Sequence, residues 1–196
     1  MIYNSAKNTF YKLFTLNKIF TILILIFVNF SNNSYSSELD DLFFKLKQST
    51  NPTLAMDYEA KIWNLWLNNG STKSSNNQMQ KGLELLQNGK LEKALLLFKK
   101  LSKKEPVWAE PINKIATIKF LQGDYIGSIN DIKLTLKLEP RHFGAISGLV
   151  QINIILKEYK QALKNLDYVL KIHPFIGIKK LRPYIQNLLK IINLVI

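Results

Sequence analysis

The sequence contains no cysteine. That excludes disulfides, zinc–thiolate sites, cysteine nucleophiles and a lipoprotein acylation site. Arginine is nearly absent: among 27 basic residues only Arg141 and Arg182 are arginine. Nucleic-acid readers lean on arginine for bidentate and stacking contacts. The formal charge of +13 therefore points to an acidic partner, an anionic surface or plain lysine-rich composition, and no nucleic-acid partner is expected. Histidine is scarce too. His142 and His173 both stand beside proline turns, away from metal-ligand spacing and with no cysteine to assist them, and are expected as solvated turn residues. A nucleophile elbow, a Walker glycine loop and a His-Glu-x-x-His pair are all missing. Asp124 and Glu158 read as helix-start charges, not as an acid/base pair. Neither an enzyme nor a cofactor is expected.

Long apolar runs are missing as well. The most apolar stretch, Leu13 to Phe30, is interrupted by Thr15, Asn17, Lys18 and Thr21, and falls short of the roughly 20 residues of a spanning helix. Residues 1–36 read as an export signal. Lys7, Lys12 and Lys18 form a basic start, Ile19 to Val28 an apolar core, and Ser34-Tyr35-Ser36 a small-residue cleavage site. The expected location is periplasmic, with an uncleaved inner-membrane anchor as the alternative and the only expected route to a membrane.

What the chain does have is a period. Pro106, Pro140 and Pro174 lie 34 residues apart. Gly89 and Gly123 keep the same step, as do Leu91, Tyr125 and Tyr159, then Ala94, Ser128 and Ala162, then Phe98, Ile132 and Leu166. Glycine suits a left-handed helix end, and proline stops a helix because it lacks an N–H and clashes with the preceding turn. Before the repeats, Asn51-Pro52 is a helix start, and Leu54, Tyr58, Ile62, Leu65 and Trp66 recur at helical spacing. Trp63 and Trp66 share one face of that helix, suited to packing on the first repeat or, alternatively, to stacking a ligand.

The 34-residue rows resemble the tetratricopeptide repeat (TPR), and the leading hairpin resembles those of exported Gram-negative TPR proteins of unassigned role. The resemblance implies an all-α, right-handed solenoid of about three helix pairs. The expected layout is a signal or anchor at 1–36, a helical hairpin at 37–70, a polar linker at 71–77, repeats at 75–108, 109–142 and 143–176, and a capping helix at 177–196.

In the resembled family the first helix of each pair lines a concave groove through its second, fifth, ninth and twelfth positions. Here these are Asn76, Met79, Leu83 and Leu86, then Glu110, Asn113, Thr117 and Phe120, then Gly144, Ser147, Gln151 and Ile154. Some members clamp chaperone C-termini with Lys and Asn, but Met79 and Leu83 stand where that clamp needs polar groups. The expected partner is a protein client presenting a peptide or a helix. The expected role is a non-enzymatic adaptor of the cell envelope. The alternatives are an inner-membrane-anchored assembly factor or a basic module for an anionic polymer or lipid. Lys99, Lys100, Lys103 and Lys104 complement a helix C-terminus or contact such a surface.

Overall fold

The structure, a computed structural model, describes residues 38–195. The export-signal reading of 1–36 lies outside the described residues. Residues 42–196 form one compact unit; of the preceding one only 38–41, the first turn of α1, is described. Among the described residues there are nine α-helices, one 3-10 helix and no strand. They are α1 (38–48), α2 (Pro52–Leu67), α3 (Lys73–Gln87), α4 (Leu91–Lys104), α5 (Ala109–Leu121), α6 (Tyr125–Leu138), α7 (Phe143–Ile155), α8 (Tyr159–Ile172), the 3-10 helix Gly177–Leu181, and α9 (Arg182–Val195). No helix among them is long and apolar enough to cross a membrane.

From α3 onward each helix packs on the next, giving the pairs α3/α4, α5/α6 and α7/α8 with α9 against α8. This is the all-α solenoid of three helix pairs that the resemblance implies. Ala94 and Ala162 are fully buried at the helix contacts, and Phe98, Ile132 and Leu166 fill the cores beside them. Leucine at Ala162 must overpack, at a cost of about 1–3 kcal/mol. We expect the Ala162→Leu melting temperature to drop by several degrees, at about 2–4 °C per kcal/mol for a chain of this size.

The turns repeat as faithfully as the helices. Gly89 and Gly123 have φ of +69° and +80°. The backbone N–H groups of Lys90, Asp124 and Glu158 donate to Leu85, Lys119 and Asn153 five residues back. That long bond is the Schellman closure of a helix. The third turn carries Lys157 where the others carry glycine, with φ of +60°. A left-handed conformation costs an ordinary residue roughly 1–2 kcal/mol. Lys157→Gly should therefore raise the melting temperature by a few degrees, whereas the same lysine placed at Gly123 should lower it.

Helices α4, α6 and α8 stop two residues before Pro106, Pro140 and Pro174. The residues between, Glu105, Glu139 and His173, have extended or near-extended backbone (φ −122°, −135° and −134°), as the clash with a following proline ring requires. The expected linker at 71–77 is instead mostly helix. The Thr72 side chain accepts from the Ser75 N–H and caps α3, so helix begins at Lys73. The polar run Lys73 to Asn77 is a helix start, not a loop. The 3-10 helix before α9 was not anticipated. In α9, Pro183 sits in the first turn and Ile185 is fully buried.

Candidate functional site

Three inter-repeat turns stack along one edge of the unit. Each has the same internal bond: Trp108, His142 and Ile176 donate N–H groups to the carbonyls of Glu105, Glu139 and His173. All six residues are buried. Helix α2 is laid across this edge. Its C-terminal end reaches the first turn, where Trp108 Nε1 donates to the Trp66 carbonyl at 2.6 Å. The ring of the same Trp66 reaches the second, where it stacks on His142 at 4.1 Å between centroids and 8° between planes. Trp63 meets Trp66 and Phe143 edge-on, and Phe143 lies tilted against Trp66. Its N-terminal half reaches the third, where His173 Nε2 lies 3.0 Å from Glu59. Glu59 and Trp66 are seven residues apart, which is about 10 Å of helix, close to the 8–10 Å between packed helices. The tryptophan rings thus pack on the turn between the second and third repeats, not on the first repeat as expected, which meets the Trp66 carbonyl through Trp108. Their partners are brought close only by the stacking of the turns.

The histidines are likewise not solvated. His142 is completely buried; its Nδ1 accepts from the Ala145 N–H, which leaves the ring hydrogen on Nε2, 2.8 Å from Glu110. Glu110 is buried as well and forms an ion pair with Lys114 at 2.6 Å. Burial resists ionisation of Glu110, yet Lys114 and the His142 bond together hold its carboxyl below the usual range. Glu59 is held low by the His173 hydrogen bond and Glu105 by the Ser75 hydroxyl. A carboxyl with a lowered folded-state pKa stabilises fully above its unfolded pKa, and that stabilisation is lost as pH falls through the folded value. The urea midpoint should thus hold to about pH 4.5 and fall below it. The Glu59→Gln, Glu105→Gln double variant should fall less steeply.

A pocket of about 240 Å³ opens between α5, α6 and α7. Four of the expected groove residues line it: Asn113, Thr117, Phe120 and Gln151, together with Gly144 at its position in the same pattern. Thr117 and Gln151 are exposed at the rim. The space exists because small residues surround it, Ala116 and Ser128 on one side and Gly144, Ala145 and Gly148 on the other. Ile132 and Leu121 complete an apolar lining that the groove pattern missed. The run of small residues in α7 was the available signal.

The remaining expected groove residues sit elsewhere. Met79 is fully buried in a core with Phe98 and Leu101, and Leu83 and Leu86 pack against that core. Leu67 at the end of α2 covers the same cluster, so the apolar positions of the first repeat are interior, not groove. Glu110 is consumed by its ion pair. Ser147 donates its hydroxyl to the Phe143 carbonyl. Ile154 is half-buried and, like Ser147, lies outside the pocket lining. Asn76 accepts from the Gly70 N–H and serves the α2–α3 connection.

No family model matches the chain. A TPR repeat-containing protein of Rhizobium etli is 32% identical over 144 residues, covering 74% of this chain and 70% of that one. Among solved structures, the TPR2B-domain:pHsp70 complex of yeast Sti1 matches with a TM-score of 0.52 and 18% identity, over 60% of this chain and 94% of that one. The TPR2AB-domain:pHSP90 complex of yeast Sti1 matches with a TM-score of 0.51 and 14% identity, over 80% of this chain and 62% of that one.

Proposed function

This chain belongs to the TPR repeat-containing proteins, and on that premise we propose that it is a non-enzymatic adaptor of the cell envelope that holds a segment of a client protein in the α5–α7 pocket. The observation that carries this reading is the coincidence of four expected groove residues with an apolar pocket whose rim is polar. An apolar side chain of an extended peptide or amphipathic helix fills the space over Ala116, Ile132 and Phe120. Gln151 hydrogen-bonds its backbone at the rim, where Thr117, whose hydroxyl donates to the Asn113 carbonyl, serves as an acceptor. The clients of the Sti1 complexes are a poor guide, because the first repeat presents Met79 as core and offers no polar clamp for a chain terminus.

The envelope assignment rests on the basic start and apolar core of residues 1–36. It predicts a mature N-terminus at Ser37 or close by. Mass spectrometry that finds residues 1–30 on the mature protein would move the adaptor to the inner-membrane-anchored alternative. The groove itself is tested by in-cell photo-crosslinking from positions 117 and 151, with position 133 on the outer side of α6 as reference. Discrete client adducts are expected from the first two only. They should vanish when Gly148→Leu fills the pocket, a change whose first carbon meets only the tip of Ile132, at 3.2 Å. Equal labelling from all three positions, or adducts indifferent to Gly148→Leu, would refute groove binding.

A further inference from the structure

The outer sides of α4, α6 and α8 carry a second pattern in the 34-residue register, independent of the groove. Lys103, Lys137 and Lys171 occupy one repeat position on three successive second helices, and all three are exposed. Lys99 and Lys133 form a second row one helical turn earlier. On α8, Lys160 and Lys164 extend the same face. Among the described residues the ion pairs fall elsewhere, and none of these lysines takes part in one. The two carboxylates on this face already have partners. Gln122 donates to Glu92 at 2.6 Å, and Arg182 pairs with Asp167.

Between the lysines stand large apolar side chains that none of the described residues covers. Leu96 and Ile126 are 69% and 64% exposed; Leu134 and Tyr168 are each 46% exposed. A single exposed leucine is ordinary, but four large apolar groups set among unpaired lysines on the second helices of three successive repeats form a patterned surface.

We propose that this lysine and leucine face docks on an anionic lipid bilayer. The chemistry favours lipid over the alternatives. Phosphate-reading proteins use arginine forks, and this face has none of its own beyond Arg182, which is paired. A polyanion gives no role to Leu96, Ile126 or Leu134. A bilayer uses both kinds of group: aliphatic side chains enter the headgroup boundary while lysine stems lie along it and keep their ammonium groups at the phosphates. Each basic residue at an anionic surface strengthens partitioning by roughly fivefold.

The test is vesicle co-sedimentation of the full chain. Vesicles of phosphatidylcholine mixed with anionic phosphatidylglycerol are compared with vesicles of pure phosphatidylcholine. Because every variant carries the same N-terminal segment, differences between variants report this face alone. Lys103→Gln, Lys137→Gln, Lys171→Gln is expected to weaken binding to the anionic vesicles on the order of 100-fold, with binding to neutral vesicles unchanged. The Lys→Arg version of the triple variant should bind like the parent. Leu96→Ser, Leu134→Ser should weaken anionic binding and leave its salt dependence intact. Unchanged melting temperatures of the variants establish that the fold is retained. Parental binding by the Lys→Gln triple variant would overturn the proposal. So would tight binding of poly-glutamate or duplex DNA combined with indifference to the leucine changes, which would mark a face for an anionic polymer.

Discussion

Replacing Glu110 by alanine should lower stability by about 3–5 kcal/mol, a large part of the 5–15 kcal/mol typical of a folded domain. Three groups lose their partner at once. The Lys114 ammonium, 15% exposed, is left as a poorly solvated charge. The Nε2–H of His142 and the side-chain amide of Asn113 are left without an acceptor in the interior. The cost of a broken buried pair lies mostly in what stays behind unpaired. Glu110→Gln separates the two parts, because its amide oxygen still accepts from His142 while the charge opposite Lys114 is gone. The order of urea midpoints should be parent, then Gln, then Ala. An alanine variant within about 1 kcal/mol of the parent would mean that water already reaches this pair.

The second large effect is expected at Trp66. Trp66→Ala should cost about 3–5 kcal/mol. The indole is almost fully buried, stacks on His142, and touches Phe43, Trp63 and Phe143. The loss is distinctive because it is local. Helix α2 is held on the edge by Glu59 at its middle and by Trp66 near its C-terminal end, whose carbonyl accepts from Trp108. With the indole removed, α1, α2 and residues 139–143 should exchange amide hydrogens faster. Helices α3 and α4, whose own core is Phe98 and Leu101, should keep their protection. A uniform rise in exchange across all helices would show that the edge and the repeats open as one unit.

The repeats were legible because their constraints are local and periodic. Proline 34 residues from proline fixes where helices stop. Alanine in register fixes where they touch. Gly89 and Gly123 mark turns that need a left-handed residue, and Lys157 was hidden only because a less suitable residue fills the third. The pocket was half legible. The inward positions of the second and third repeats predicted Asn113, Thr117, Phe120 and Gln151, while the first repeat misled because Leu67 covers it. The turn edge was not legible. Glu59 and His173 meet across 114 residues, and no spacing within the chain marks that contact. A histidine beside a proline looks solvated until another helix is laid over it. The Trp63 and Trp66 pair announced burial correctly and its address wrongly, since hydrophobic size does not name a partner.

The reach of α2 has a consequence for how the molecule is made. Glu59 leaves the ribosome long before His173. At about 5–20 residues per second the wait is roughly 6–23 s. Through that interval the amphipathic helix with its tryptophans has no finished bed, while neighbouring repeats can already pair with each other. Docking of α2 is therefore a late event in biosynthesis, and it certifies that the last turn has been built. A chain halted before residue 142 would carry two bare indoles as a mark of its incompleteness, the kind of surface that chaperones and proteases inspect.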